Sequence, residues 1–159
     1  ADTIVVALGS VLGTIKDTVD EMRETGPRIG VLGITCFRPW PLSAVRAALA
    51  GAQRVVVLEK SLAVGLGGIV SNNVRTSLGA HGMLVYTVIA GLGGRTITRA
   101  SLHKAFADAI AGRLEPLSFL DLDRAVVDRV LAREREVRRS GPIAEAVLRD
   151  TGAPGARIG

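Results

Sequence analysis

Four short apolar runs, each leading into a stretch of helical periodicity, constrain this chain more than any other feature. They are Thr3–Leu8 (TIVVAL), Arg28–Thr35 (RIGVLGIT), Arg54–Leu58 (RVVVL) and Met83–Ala90 (MLVYTVIA). Near-continuous apolar runs of this length read as strands covered on both faces, the signature of a parallel sheet between helix layers. Gly30 and Gly33 weaken the second run and place it towards an edge. The intervening stretches carry helix stripes. Ile15, Val19 and Met22 follow a start near Thr14, with Thr14 and Asp17 as the capping pair, and Gly26-Pro27 stops them. Leu42, Val45 and Leu49 form the next stripe, ended by Gly51, and Leu66, Val70, Val74 and Leu78 the third, ended by Gly79. Thr98 caps a fourth helix with Leu102, Phe106, Ala109 and Ile110 facing inward, closed by Gly112. Strict alternation of four strand–helix units predicts a doubly wound, three-layer α/β/α fold with four parallel strands.

This α/β domain is expected over residues 1–112, followed by a helical C-terminal extension over 113–150 and a disordered tail over 151–159. In the extension, Pro116–Leu120 leads into a helix with Leu122, Val126, Val130 and Leu131 apolar, and then into the charged Ala132–Arg139. Ser140-Gly141-Pro142 breaks that helix before a short one over Ile143–Leu148. With no strand pattern of its own, the extension reads as an arm that packs on the sheet or on a neighbouring subunit. The opening Ala1, without a methionine, reads as the start of a piece of something longer.

Composition narrows the function classes. The 159 residues are 48% hydrophobic but only 3% aromatic, so the core is aliphatic. A net charge of +5 raises a nucleic-acid partner, yet no Lys/Arg run exceeds two residues. One Tyr and one Trp supply no stacking platform, so no nucleic-acid partner is expected. Cys36 is the single cysteine, which removes internal disulfides, and with only His81 and His103 far apart a zinc or iron–sulfur site within the chain is not expected. No apolar run approaches the length of about 18 residues of a membrane span, and no signal-peptide pattern opens the chain. The expectation is a cytoplasmic protein without a membrane partner.

Three glycine-rich loops follow the strands: Gly9–Gly13 (GSVLG, with Ser10), Val64–Gly68 (VGLGG, with Gly67) and Gly91–Arg95 (GLGGR, with Gly93 and Gly94). In a parallel sheet all three lie at the carboxyl edge, where free backbone amides and helix dipoles suit phosphate or carboxylate. None completes a dinucleotide fingerprint or a P-loop, so tight strand-to-helix packing stands beside anion binding as their reading. Glu59 and Lys60 end the third strand ahead of Ser61. They read either as a base with an anion clamp or as charges meeting water or a partner. One carboxylate without a second acid or a nucleophile is no catalytic constellation. Arg38, its launch point fixed by the prolines of the Cys-Phe-Arg-Pro-Trp-Pro turn, suits an ion pair across an interface. Cys36 reads as a small buried hydrophobe, His81 as a solvated turn residue, and His103 points to nothing specific.

GSVLGTIKDTVDEMRETG, RIGVLGITCFRPWP, RVVVLEKSLAVGLGG and AGLGGRTIT follow one another along the chain. In that order they resemble the transketolase C-terminal-like domain of pyruvate:ferredoxin oxidoreductases and related 2-oxoacid:acceptor oxidoreductases, over about Asp2 to Gly112. Two departures stand out: Trp40 where the turn usually reads Arg-Pro-Phe-Pro, and Glu59-Lys60-Ser61 where the strand usually ends Asp-Arg-Ser. The resemblance implies parallel strands in the order 2-1-3-4 with right-handed crossovers. It also implies an antiparallel edge strand ahead of them, for which this chain has no segment. For the whole enzyme it implies thiamine diphosphate between two other domains, iron–sulfur clusters held elsewhere, coenzyme A as acyl acceptor and ferredoxin as electron acceptor. No cofactor is expected on this chain, which would be a non-catalytic assembly domain contacting other domains or subunits. The alternative is a free-standing α/β module binding a nucleotide or other anion at its glycine loops. The same domain in a transketolase or 2-oxoacid dehydrogenase is a third reading, disfavoured by Arg-Pro-Trp-Pro and Gly-Leu-Gly-Gly-Arg. In the 2-1-3-4 order the switch point falls between Gly9–Gly13 and Glu59–Gly68, the crevice where open α/β sheets place ligands.

Overall fold

A computed structural model describes residues 1–79 and 82–137 of the chain. His81, the break at Ser140-Gly141-Pro142, the helix expected over Ile143–Leu148 and the tail over 151–159 lie outside the described residues. The chain divides into two compact units, Ala1–Asp121 and Leu122–Gly159.

The first unit holds a five-stranded sheet in the order β2-β1-β3-β4-β5, built from β1 (Thr3–Leu8), β2 (Ile29–Ile34), β3 (Arg54–Glu59), β4 (Leu84–Ile89) and β5 (Leu117–Phe119). Every strand pairing in it is parallel. The first four strands match the apolar runs to within a residue or so at each end, and the glycine-bearing β2 is an edge strand, as expected. The central β3 carries Val55, Val56, Val57 and Leu58, all fully buried. Its side chains alternate between two cores. Val56 and Leu58 join Val5 and Val88 against α1 (Val11–Glu24) and α4 (Arg99–Ile110). Val55 and Val57 join Val6 against α2 (Leu42–Leu49) and α3 (Ile69–Leu78). Alternation on a strand apolar on both sides makes a three-layer sandwich, because each face needs its own helix pair.

Four details differ from the sequence reading. First, helix α1 begins at Val11, not near Thr14, and Thr14 lies inside it, its carbonyl accepting from Thr18 Oγ1 at 2.8 Å. The N-cap position belongs to Ser10, whose side chain makes no cap bond. Second, Leu42 is exposed, and only Val45 and Leu49 of that stripe enter the core. Third, Leu66 precedes α3 in the connecting loop and is exposed, so the buried stripe is Val70, Val74 and Leu78. Fourth, the sheet has five strands rather than four, and the residues given to a lead-in beyond the sheet form β5 beside β4.

Strand β5 arrives by an unusual route. The three crossovers through α1, α2 and α3 share one hand, because α1 steps the opposite way along the sheet from α2 and α3 and lies on the opposite face. Helix α4 lies on the α1 face yet steps in the direction of α2 and α3, so its crossover has the opposite hand. The pairing it reaches is three residues long. A strict right-handed rule does not anticipate such a strand.

The second unit contains α5 (Arg124–Val137). Asp123 caps it, its Oδ1 accepting from Val126 N at 3.1 Å, and Leu122, Val126, Val130 and Leu131 are exposed.

Candidate functional site

All five strands run the same way, so their carboxyl ends meet at one edge, and the reversal of strand order there falls between β1 and β3. A cavity of about 340 Å³ opens at that point, lined by Leu8, Gly9, Ser10, Val11, Leu58, Glu59, Lys60, Ser61 and Val70. The crevice expected between Gly9–Gly13 and Glu59–Gly68 is therefore present, with Gly9, Ser10, Glu59, Lys60 and Ser61 in its wall. Gly13, Arg38, Gly67, Gly68, Gly93, Gly94 and Arg95 do not line it.

Glu59 organises this edge. It ends β3 and is buried, 6% exposed, which requires that its charge be satisfied locally. The carboxylate turns onto the start of α3. Oε2 accepts from Val70 N at 2.8 Å and Oε1 from Ser71 N at 3.0 Å, while Ser61 Oγ reaches Oε2 at 3.5 Å. These two amides are among the orphan donors of a helix N-terminus, where the dipole also favours negative charge. The anion position that the Val64–Gly68 loop offers is thus filled by the chain's own carboxylate.

Gly68 makes this possible. It is the N-cap of α3 with φ −80° and ψ 143°, a backbone that any residue can adopt. A Cβ there would overlap Glu59 Oε1 and lie 2.6 Å from its Cδ and 2.5 Å from Ser71 Oγ. Glycine is required here by close approach, not by conformation. Gly67 differs: its φ of +83° is the left-handed region, and a Cβ would meet nothing within 4 Å.

The other candidates take separate positions. Lys60 is exposed and runs beside Gly91, where a Cβ would meet its Cε at 3.0 Å. Arg95 donates to the Asp121 carbonyl, and Ser101 Oγ donates to Asp121 Oδ2 at 2.6 Å, with Thr98 capping α4 through Ser101 N at 3.1 Å. The Gly91–Arg95 loop therefore binds the chain after β5 to the start of α4. Asp121, with φ 55°, was invisible to sequence reasoning because its partners lie twenty or more residues away. Arg38 lies over the Phe37 ring at 4.0 Å and donates to the Phe37 carbonyl at 2.8 Å. Phe37 meets Trp40 edge-on, and Trp40 Nε1 donates to Ser77 Oγ at 2.7 Å, fastening the turn after β2 to α3. Cys36 is exposed rather than buried, its Sγ within 3.5 Å of the Pro39 carbonyl.

No three His, Cys, Asp or Glu side chains converge to hold a metal ion among the described residues. The chain's one cysteine, Cys36, does not supply the thiolate set of an iron–sulfur cluster, and the buried Glu59 carboxylate is engaged by α3 amides. No helix among the described residues is long and apolar enough to cross a membrane.

A parallel sheet whose switch-point crevice is walled by a Glu-Lys-Ser strand end and the Gly9-Ser10 turn marks a doubly wound α/β domain. A 2-oxoglutarate:ferredoxin oxidoreductase from Magnetococcus marinus, solved with 2-oxoglutarate, coenzyme A and succinyl-CoA bound, shares this fold. The likeness has a TM-score of 0.57 at 21% identity and covers 69% of this chain and 18% of that one. The profile of pyruvate:ferredoxin oxidoreductase core domain II matches residues 1–102. The chain belongs to that family. It is similar to the pyruvate synthase subunit PorA of Thermotoga maritima, 41% identical over 117 residues, covering 72% of this chain and 30% of that subunit. PorA of Methanothermobacter thermautotrophicus is 36% identical over 104 residues, covering 65% and 27%. The ketoisovalerate oxidoreductase subunit VorA of Pyrococcus furiosus is 32% identical over 111 residues, covering 68% and 28%. The chain thus spans under a third of the length of these relatives.

Proposed function

We propose that this chain is a non-catalytic assembly domain of a thiamine diphosphate-dependent 2-oxoacid:ferredoxin oxidoreductase, of the pyruvate type, which decarboxylates a 2-oxoacid to acyl-CoA and reduces ferredoxin. In this reading the thiamine diphosphate, iron–sulfur clusters and coenzyme A belong to other domains or subunits, and the enzyme is cytoplasmic. The observation that carries it is the fate of Glu59. Its carboxylate serves α3 within the chain, so the strand end is committed to holding the loop that follows it. Leu62, Val64 and Leu66 of that loop are exposed and apolar, which suits contact with protein more than with a polar substrate. Co-expression with the remaining oxidoreductase polypeptides of the same organism tests the proposal. The tagged chain should co-elute with them in fixed stoichiometry, and its elution alone would overturn it.

One observation favours the alternative reading. Lys60, Ser10 and Ser61 gather around the switch-point cavity and could hold a nucleotide or other anion. A rise in melting temperature with nucleotides, phosphate or acyl-CoA is expected only under that alternative.

A further inference from the structure

The connection between β3 and α3 is unusual for a surface turn. Such turns favour Gly, Asn, Asp and Ser, yet here the sequence Leu62-Ala63-Val64-Gly65-Leu66-Gly67 leaves Leu62, Val64 and Leu66 exposed. Val64 is 100% exposed and Leu66 62%. Neither belongs to the cores on the two faces of the sheet. Ile69, at the first position of α3, is exposed as well.

The turn is nonetheless tightly fixed. Ala63 N donates to Gly67 O and Gly67 N to Ala63 O, both at 2.8 Å, a closed pair of bonds around the tip. Leu66 N donates to Ala63 O at 3.0 Å, and Asn72 Nδ2 reaches back to Leu66 O at 3.1 Å. Gly65 and Gly67 take φ of +80° and +83°, which lets the chain double back while Val64 and Leu66 carry the apolar side chains. The Glu59 carboxylate and the side-chain-free Gly68 hold the base of the turn against α3. A rigid turn that spends two apolar side chains on solvent contributes nothing to this unit's core. It is pre-organised for contact, since little ordering entropy remains to be lost on binding.

We infer that the Ala63–Gly67 turn is a preformed apolar knob, with Val64 and Leu66 at its tip, that docks into an apolar socket on the part of the oxidoreductase subunit lying outside this chain. The inference rests on the proposed assembly function. The occupant follows from the share of the relatives that this chain spans: 30% and 27% of the two PorA subunits. More than two thirds of each such subunit is polypeptide joined to a domain like this one. A covalently joined neighbour sits at millimolar effective concentration, well ahead of any free partner. Asn72, whose Nδ2 reaches Leu66 O, supplies a polar flank of the kind that a buried apolar contact needs at its rim.

The test uses the chain and the remainder of the subunit from the same organism, produced as two polypeptides, with Val64→Asp/Leu66→Asp as the variant. Both positions are exposed, so the melting temperature of the variant chain should stay within about 2 °C of the parent. Its affinity for the remainder should fall about 100-fold or more, because two charges would enter the socket. Amide exchange at residues 63–67 should slow in the parent complex. Equal affinities for parent and variant would overturn the knob while leaving the assembly reading intact. A variant effect confined to self-association of the chain, or to binding a different subunit, would place the socket elsewhere and overturn it too. Failure of the parent chain to bind any of the oxidoreductase polypeptides would remove the assembly reading itself.

Discussion

Replacing Gly68 by alanine is the sharpest perturbation of this edge. The backbone at φ −80° and ψ 143° accepts alanine without strain, so conformational cost drops out of the comparison. What remains is collision. The new Cβ would overlap Glu59 Oε1 and sit 2.5 Å from Ser71 Oγ, and the nearest relief is to swing the carboxylate away. That breaks the bonds from Val70 N and Ser71 N and leaves a buried charge and two helix-terminal amides without partners. Hydrogen bonds to a charged group contribute about 1.5–3 kcal/mol each, so two set a ceiling of about 3–6 kcal/mol. Loosening of the first turn of α3 recovers part of this, and the expected loss is about 3 kcal/mol, or about 10 °C in melting temperature. Urea unfolding followed by circular dichroism reads the difference. Gly65→Ala is the control, with φ +80° and open space around its Cβ, and should cost about 1–2 kcal/mol from backbone strain alone. A Gly68→Ala variant within about 0.5 kcal/mol of the parent, or no worse than Gly65→Ala, would refute the self-capping account.

Two further substitutions probe the same framework. Glu59→Gln keeps the shape but replaces one accepting oxygen with an amide that faces a helix N–H, and should cost about 1–3 kcal/mol in the same unfolding assay. Trp40→Phe removes the donor to Ser77 Oγ while keeping an aromatic ring beside Phe37, and should cost about 1 kcal/mol by circular dichroism. The parent protein's single tryptophan makes its fluorescence a local report on the turn after β2.

The strands and the switch point were legible in the sequence because both depend on local pattern: continuous apolar runs, then glycine at each strand-to-helix passage. The misses have separate causes. Leu66 sits four residues before Val70 and so extends the helical stripe by spacing alone, although the intervening glycines end the loop only at Gly68. Thr14 resembles a cap, yet α1 starts three residues earlier at Val11, behind a Ser10 whose side chain makes no cap bond. β5 is three residues with a serine in the middle, too short for any period, and its crossover has the minority hand. At the site, the loops could be read as fit for an anion, but not what fills them. Glu59 reaches amides eleven and twelve residues away, a pairing fixed by the packing of α3 on β3 rather than by spacing. The same holds for Asp121 with Arg95 and Ser101.

The central claim is that this domain serves assembly and leaves cofactor chemistry to its neighbours. Titration calorimetry of the chain with thiamine diphosphate and magnesium tests it most directly, with the co-expressed oxidoreductase as the positive comparison. The account predicts saturable heat from the assembled enzyme and none from this chain. A saturable thiamine diphosphate isotherm for the chain alone would contradict it.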